Sequence, residues 1–200
     1  MKSVPASRVI VFCVIALAGL AADLATKQWI FNTLGMPGAK IPWWVIDKVA
    51  GFQTSLNEGA LGGLGQGKTT LFAILSVAAV IGIVWWLFWK GAARQWFLTI
   101  ALAGVMAGVL GNLYDRVGLP GLRWNYANEL HRVGDPVFAV RDWILVMIPL
   151  PKIGWWPWPN FNIADSLLVC GAGMLLFQAF WQTEASTGKK TGADPSIALR

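Results

Sequence analysis

Four acidic residues stand where a carboxylate is costly. Of the ten Asp and Glu residues in this 200-residue chain, Asp47, Glu58, Glu129 and Asp135 fall in connecting stretches, and Glu184 and Asp194 lie near the C-terminus. Asp23, Asp115, Asp142 and Asp165 lie within or beside long apolar runs. An ionisable group in such a place reads by default as a functional position. Asp165 belongs to Phe161-Asn162-Ile163-Ala164-Asp165-Ser166, which opens the apolar run 167–181. Asn162 is a good helix N-cap, and Asp165 then falls in the first turn, where the helix dipole favours a carboxylate. Asp115 closes Gly111-Asn112-Leu113-Tyr114-Asp115-Arg116. Helical spacing puts Asn112, Asp115 and Arg116 on one face, and Arg116 is expected to pair with Asp115. Gly108 and Gly111 permit close helix approach at the same place. Asp142 sits in Val140-Arg141-Asp142-Trp143-Ile144, ahead of another apolar stretch. Asp23 and Lys27 are four apart, an ion pair suited to a bundle interior.

Two carboxylates brought together share one proton, because both cannot ionise at close range. One then serves as general base toward a water, and the other as general acid. That is aspartic peptidase chemistry, and the residues alone leave the pair open among Asp115, Asp142 and Asp165. Other hydrolytic schemes lack their parts. The single histidine, His131, has no nucleophile placed beside it, and there is no H-E-x-x-H zinc motif. Cys13 and Cys170 lie inside apolar runs without metal-ligand or Cys-x-x-Cys spacing and read as small buried apolar residues. No metal and no cofactor is expected.

The elements that must position these acids are membrane spans. The chain is 56% hydrophobic and only 13% charged, against roughly 25% charged in a soluble domain. Four apolar segments, about 9–30, 70–89, 96–113 and 163–181, each approach the ~20 residues that cross a bilayer. The fold class expected is therefore an all-α membrane bundle of four transmembrane helices in one domain, 1–182. Two extended outer loops, about 31–69 and 117–160, have room for short strands or an amphipathic helix. Residues 183–200 read as a disordered cytoplasmic tail. Lys90 and Arg94 occupy a very short turn between the second and third spans, and the ends of the chain carry Lys2, Arg8, Lys189, Lys190 and Arg200. The positive-inside rule places all three basic segments in the cytoplasm and the acids toward the outer face. The net charge of +6 then serves orientation and anionic headgroups rather than nucleic acid. Many of the 13 tryptophans fall at span ends, where indoles favour the headgroup layer. Trp43, Trp44, Trp155 and Trp156 fall in the outer loops and are candidates for shaping a lipid-facing substrate site.

Two motifs mislead. The N-terminus resembles a cleavable signal peptide, yet its apolar run continues past Ala21-Ala22 to Trp29 and Ile30, so it reads as an uncleaved span. Gly62-Gly63-Leu64-Gly65-Gln66-Gly67-Lys68-Thr69 matches the phosphate-loop pattern. That loop should join a buried strand to a soluble helix, and here a membrane span follows, so no nucleotide is expected.

Five stretches, taken together, resemble bacterial lipoprotein signal peptidase (signal peptidase II). They are Asp23-Leu24-Ala25-Thr26-Lys27, Asn57-Glu58-Gly59-Ala60, Gly111 to Arg116, Val140 to Ile144 and Phe161 to Ser166. They occur in the family's order, from the first span to the fourth. The resemblance implies an intramembrane aspartic peptidase of the bacterial inner membrane that cuts signal peptides from diacylglyceryl-modified prolipoproteins. It implies Asp142 and Asp165 as the catalytic pair, with Asn57, Asn112, Asp115, Arg116 and Asn162 as polar supports. Asp23, Lys27, Gly108, Gly111 and Ala164 would be structural, and the enzyme a monomer among membrane lipids. Arg141 stands where a small apolar residue is usual in the family, and Trp143 where Phe is usual. Two other classes would also use this sequence. A small ion- or proton-coupled transporter keeps membrane carboxylates, but usually shows repeats and midplane charges. A scaffold could use the Trp-rich loops, but has no need of the acids.

Overall fold

The computed structural model describes residues 3–59 and 65–190, with side chains as far as Trp181. Its long elements are α1 (Ala6–Leu34), α2 (Thr69–Val84), α3 (Trp96–Arg116) and α4 (Ile163–Lys190). A π-helical turn, Trp85–Trp89, prolongs α2. Four helices are long and apolar enough to cross a membrane, covering Ala6–Leu34, Thr69–Trp89, Trp96–Arg116 and Ile163–Trp181. These match the four segments expected from composition. Gly91, at φ 76°, makes the left-handed step of the tight turn between α2 and α3. Residues 183–190 continue α4, and the rest of the expected tail lies outside the described residues.

α3 is the centre of the bundle. In its most apolar window 67% of residues are buried, against 11% in each of α2 and α4. Small residues make this possible. A Cβ at Gly108 would collide with the Ala164 carbonyl and Leu168 of α4, and one at Gly111 with the Asp23 carboxylate and Ala164. Between apolar helices in an apolar solvent, such close backbone approach is what holds a bundle together. Cys13 and Cys170 are exposed on the outside of α1 and α4, contrary to the buried reading. A lipid-facing position is as apolar as a core position, so an apolar run does not separate the two.

The polar end of the bundle carries a four-stranded antiparallel sheet in the order β1-β2-β3-β4. β1 (Trp43–Ile46) and β2 (Ala50–Asn57) lie between α1 and α2, and β3 (Val140–Leu150) and β4 (Gly154–Pro157) between α3 and α4. The expectation of an all-α fold therefore covers the bundle alone. The apolar, β-branched and aromatic run Val140–Leu150 suits a pleated, half-buried surface. Here the two outer loops pair with each other, Ser55 opposite Asp142 and Asn57 opposite Val140. Residues 118–139 fold back on themselves through an Arg123–Pro136 bridge, around a small core of Trp124, Val137 and Ala139.

Candidate active site

The site forms where β3 meets the start of α4. Phe161 is stitched onto β3: Trp143 and Ile144 donate their N–H groups to its carbonyl at 3.1 and 2.8 Å, and its own N–H reaches the Ile144 carbonyl at 3.3 Å. Trp143, Ile30 and Leu34 bury against one another beneath this junction. The bridge fixes Asp142 on the strand beside Asn162 at the helix start.

α4 begins with a reciprocal cap. The Asn162 side-chain oxygen accepts the Asp165 N–H at 2.9 Å, and the Asp165 carboxylate accepts the Asn162 N–H at 3.2 Å. Each satisfies a backbone donor that the first helical turn would leave orphaned. Asp23 supplies a further cap from α1 by accepting the Ala164 N–H at 2.9 Å. The carboxylate four residues before Lys27 therefore also anchors the end of another helix.

Asn162 is the hub. Its side-chain amide donates to Asp142 Oδ1 at 2.6 Å and to Asn112 Oδ1 at 3.2 Å. Asn112, from α3, donates in turn to Asp165 Oδ1 at 2.8 Å. Both carboxyls are thus held through the same amide pair. Asn57, at the end of β2, also hydrogen-bonds Asp142. Asp142 is 2% exposed. Burial first, and the charge of Asp165 second, push its carboxyl well above the usual carboxylate range. Beside it is a cavity of about 200 Å³, lined by Ser55, Asn57, Gln66, Pro159 and Asn160.

Beneath the pair runs a buried charge chain. Lys27 Nζ lies 2.7 Å from Asp23, 3.0 Å from Asp115 and 3.1 Å from Asn112 Oδ1, with both ion pairs fully buried. Arg141 donates its Nε to Asp115 Oδ1 at 2.8 Å and its backbone N–H to Oδ2 at 3.0 Å. The expected Asp115–Arg116 pair is not what forms. Neighbouring helical residues point about 100° apart and do not face each other. Arg116 turns away, donates to the Gly59 carbonyl at 3.0 Å and lies over Phe72. Asp115 takes Lys27 and Arg141 instead. Among the described residues no three His, Cys, Asp or Glu side chains converge as metal ligands would.

A sequence model of signal peptidase II matches residues 15–181 of the chain. The chain belongs to the signal peptidase II family. It is 43% identical over 191 residues to a lipoprotein signal peptidase of Rhodopirellula baltica, covering 94% of this chain and 79% of that one. A lipoprotein signal peptidase of Bacillus subtilis is 30% identical, covering 84% of this chain and 91% of the relative. Two solved bacterial membrane enzymes share the fold. One has a TM-score of 0.66 at 26% identity, covering 95% and 94% of the two chains. The other has a TM-score of 0.63 at 28% identity, covering 84% and 92%.

In this signal peptidase II family member, the polar residues singled out from sequence converge from five elements. Asp23 and Lys27 come from α1, Asn57 from β2, Asn112 and Asp115 from α3, Asp142 from β3, and Asn162 and Asp165 from the start of α4. The four loop tryptophans do not join them. Trp43 and Trp44 lie on β1 and Trp155 and Trp156 on β4, the two outer strands of the sheet. Trp43 meets Trp29 and Phe52 edge to face, and Phe52 meets Trp143, so an aromatic row leads from the sheet edge to the strand of Asp142. Two features escaped sequence reasoning. Arg141 is buried and central to the charge chain, and a charged residue inside an apolar run was itself a sign of a waiting partner. His131 stacks on Trp124 at 3.5 Å and lies 4.0 Å from Glu58, the neighbour of Asn57. Nothing in the local sequence signals that long-range meeting.

Proposed function

We propose that the enzyme is an aspartic endopeptidase that removes signal peptides from diacylglyceryl-modified prolipoproteins, with Asp142 and Asp165 as its catalytic pair. One observation carries this reading: the Asn162 amide grips Asp142 at 2.6 Å while its backbone and side chain form the cap with Asp165. The pair holds one proton. It resides on Asp142, whose burial favours the neutral acid. Asp165 is the ionised partner, supported by the Asn112 amide, the Asn162 N–H and the start of a helix. Asp165 takes a proton from water as the water oxygen attacks the scissile carbonyl. Asp142 donates its proton to the carbonyl oxygen, giving a neutral gem-diol. Collapse returns that proton to Asp142, the Asp165 proton passes to the leaving amine, and the starting state is restored.

The location follows from charge. Lys90 and Arg94 occupy the turn at the end of the bundle opposite the pair, and the positive-inside rule puts that end in the cytoplasm of the bacterial inner membrane. Both termini then face the cytoplasm, and the pair works at the outer interface. The substrate's acyl chains and signal helix reach it from within the membrane plane. The test compares diacylglyceryl prolipoprotein with the unlipidated form of the same sequence. The lipidated form should be cleaved and the unlipidated form should be a poor substrate. Equal cleavage would defeat the substrate assignment and leave a general membrane peptidase.

A further inference from the structure

At the end of the bundle away from the aspartates, two cavities share a wall. One, of about 310 Å³, is lined by Ser3, Lys90, Gly91 and Arg94 together with Phe88 and Trp89. The other, of about 550 Å³, is a groove of Val80, Ile81, Val84, Trp85 and the same Phe88 and Trp89. The first is a small pocket with two cations, Lys90 and Arg94, in its lining. The second is wholly apolar along the outer surface of α2. Between them runs the π-helical turn Trp85–Trp89, a local widening of the helix that is found often at functional sites. It turns three indoles, Trp85, Trp86 and Trp89, to the outside, each between 42% and 70% exposed.

Among the described residues no carboxylate pairs with the cations here. Lys90 lies 5.0 Å over the Trp85 ring, and Arg8 is stacked 3.3 Å over Trp96. Among the described residues Arg8, Lys90 and Arg94 form no ion pair; the ion pairs there involve Lys27, Arg141 and His131. Among the described residues the buried Arg8 Nε has no hydrogen-bond partner. A cationic pocket that adjoins an apolar groove at Phe88 and Trp89 fits an amphiphile with an anionic head and long apolar chains. We propose that this is a binding site for one anionic phospholipid. Its phosphodiester sits between Lys90 and Arg94, and an acyl chain lies along Val80, Ile81 and Val84 against Trp85 and Trp89. Basic pockets at helix ends recognise such headgroups, each cation near the surface adding to the attraction. The site is separate from the aspartate pair and takes a resident lipid rather than the substrate.

Native mass spectrometry of the detergent-purified protein tests this with phosphatidylglycerol, phosphatidylethanolamine and inorganic phosphate as probes. The parent should retain one phosphatidylglycerol in preference to phosphatidylethanolamine. K90Q/R94Q should lose that preference by roughly 30-fold, the effect of two surface cations. V84W fills the groove and keeps both cations, and should weaken retention of the diacyl lipid as well. Inorganic phosphate in excess should not displace the lipid. Equal retention of the two lipids by the parent, or an undiminished preference in K90Q/R94Q, would overturn the proposal. Displacement by phosphate alone would make the pocket an anion site and refute the lipid assignment. Unchanged prolipoprotein cleavage by K90Q/R94Q and by V84W in phosphatidylethanolamine detergent micelles verifies that each variant is folded.

Discussion

Replacing Arg141 by Met tests the charge chain under the aspartates. Met matches the aliphatic length but cannot donate. The change deletes the 2.8 Å bond from Nε to Asp115 Oδ1 and the 3.3 Å bond to Gln28. It keeps the backbone donation to Asp115 Oδ2 at 3.0 Å and the Lys27 contact at 3.0 Å. Breaking a buried pair outright costs about 3–5 kcal/mol, because a charge is left uncompensated. Asp115 retains one cation and one N–H donor, so the cost should be lower, about 2–4 kcal/mol. For a chain of this size that is a loss of about 5–15 °C in Tm. The partner variant, Asp115→Asn, leaves Lys27 with Asp23 but strips Arg141 of its carboxylate. The double variant should therefore lose less than the sum of the two singles by more than about 1 kcal/mol. Thermal unfolding in detergent, followed by intrinsic tryptophan fluorescence, reads all four proteins. A Tm for Arg141→Met equal to the parent's, or strict additivity in the cycle, would refute the view that Arg141 and Asp115 stabilise each other.

Three further expectations follow from the same geometry. The raised Asp142 pKa means the folded state binds a proton that the unfolded state, near its ordinary value of about 3.9, has released. Stability is therefore lost as pH rises from about 3.9 through the folded value. Asp142→Asn removes that penalty, so it should melt above the parent at about pH 8, with the gap closing toward about pH 4; a constant gap would count against the shift. Lys68→Ala should leave cleavage unchanged and the protein without ATP affinity, since Lys68 is exposed in the turn leading into α2; nucleotide binding that the change abolishes would overturn the reading of the glycine run. Replacing Trp43 and Trp44 by Ser should raise KM for diacylated substrate by roughly two- to tenfold, the range of lost aromatic contacts, with kcat less affected; a fall confined to kcat would move these residues away from substrate binding.

Much of the bundle was legible because a membrane imposes one strong rule, a long apolar run per span. The cap on α4 was legible for a similar reason: Asn162 and Asp165 are three apart, and that pattern has few other uses. The Asp23–Lys27 pair was equally local. What escaped lies between distant segments. The sheet forms because residues 43–57 and 140–157 meet across the bundle, and neither run names its partner. The Arg116 assignment failed on helical phase, since adjacent residues diverge in direction. The lipid-facing cysteines failed because bilayer and core look alike in composition. Arg141 read as a departure from the family pattern, and its meaning emerged only when Asp115, 26 residues earlier, came within 2.8 Å.

The central claim is that Asp142 and Asp165 share one proton and activate water together. The most direct measurement is the single-turnover cleavage rate of a diacylglyceryl prolipoprotein by Asp142→Asn and by Asp165→Asn, each shown by its melting curve to be folded. Removing one partner of an acid–base pair costs about 10²–10⁴-fold, so both variants should fall by at least that much. If either cleaves at the parent's rate, the pair is wrongly assigned.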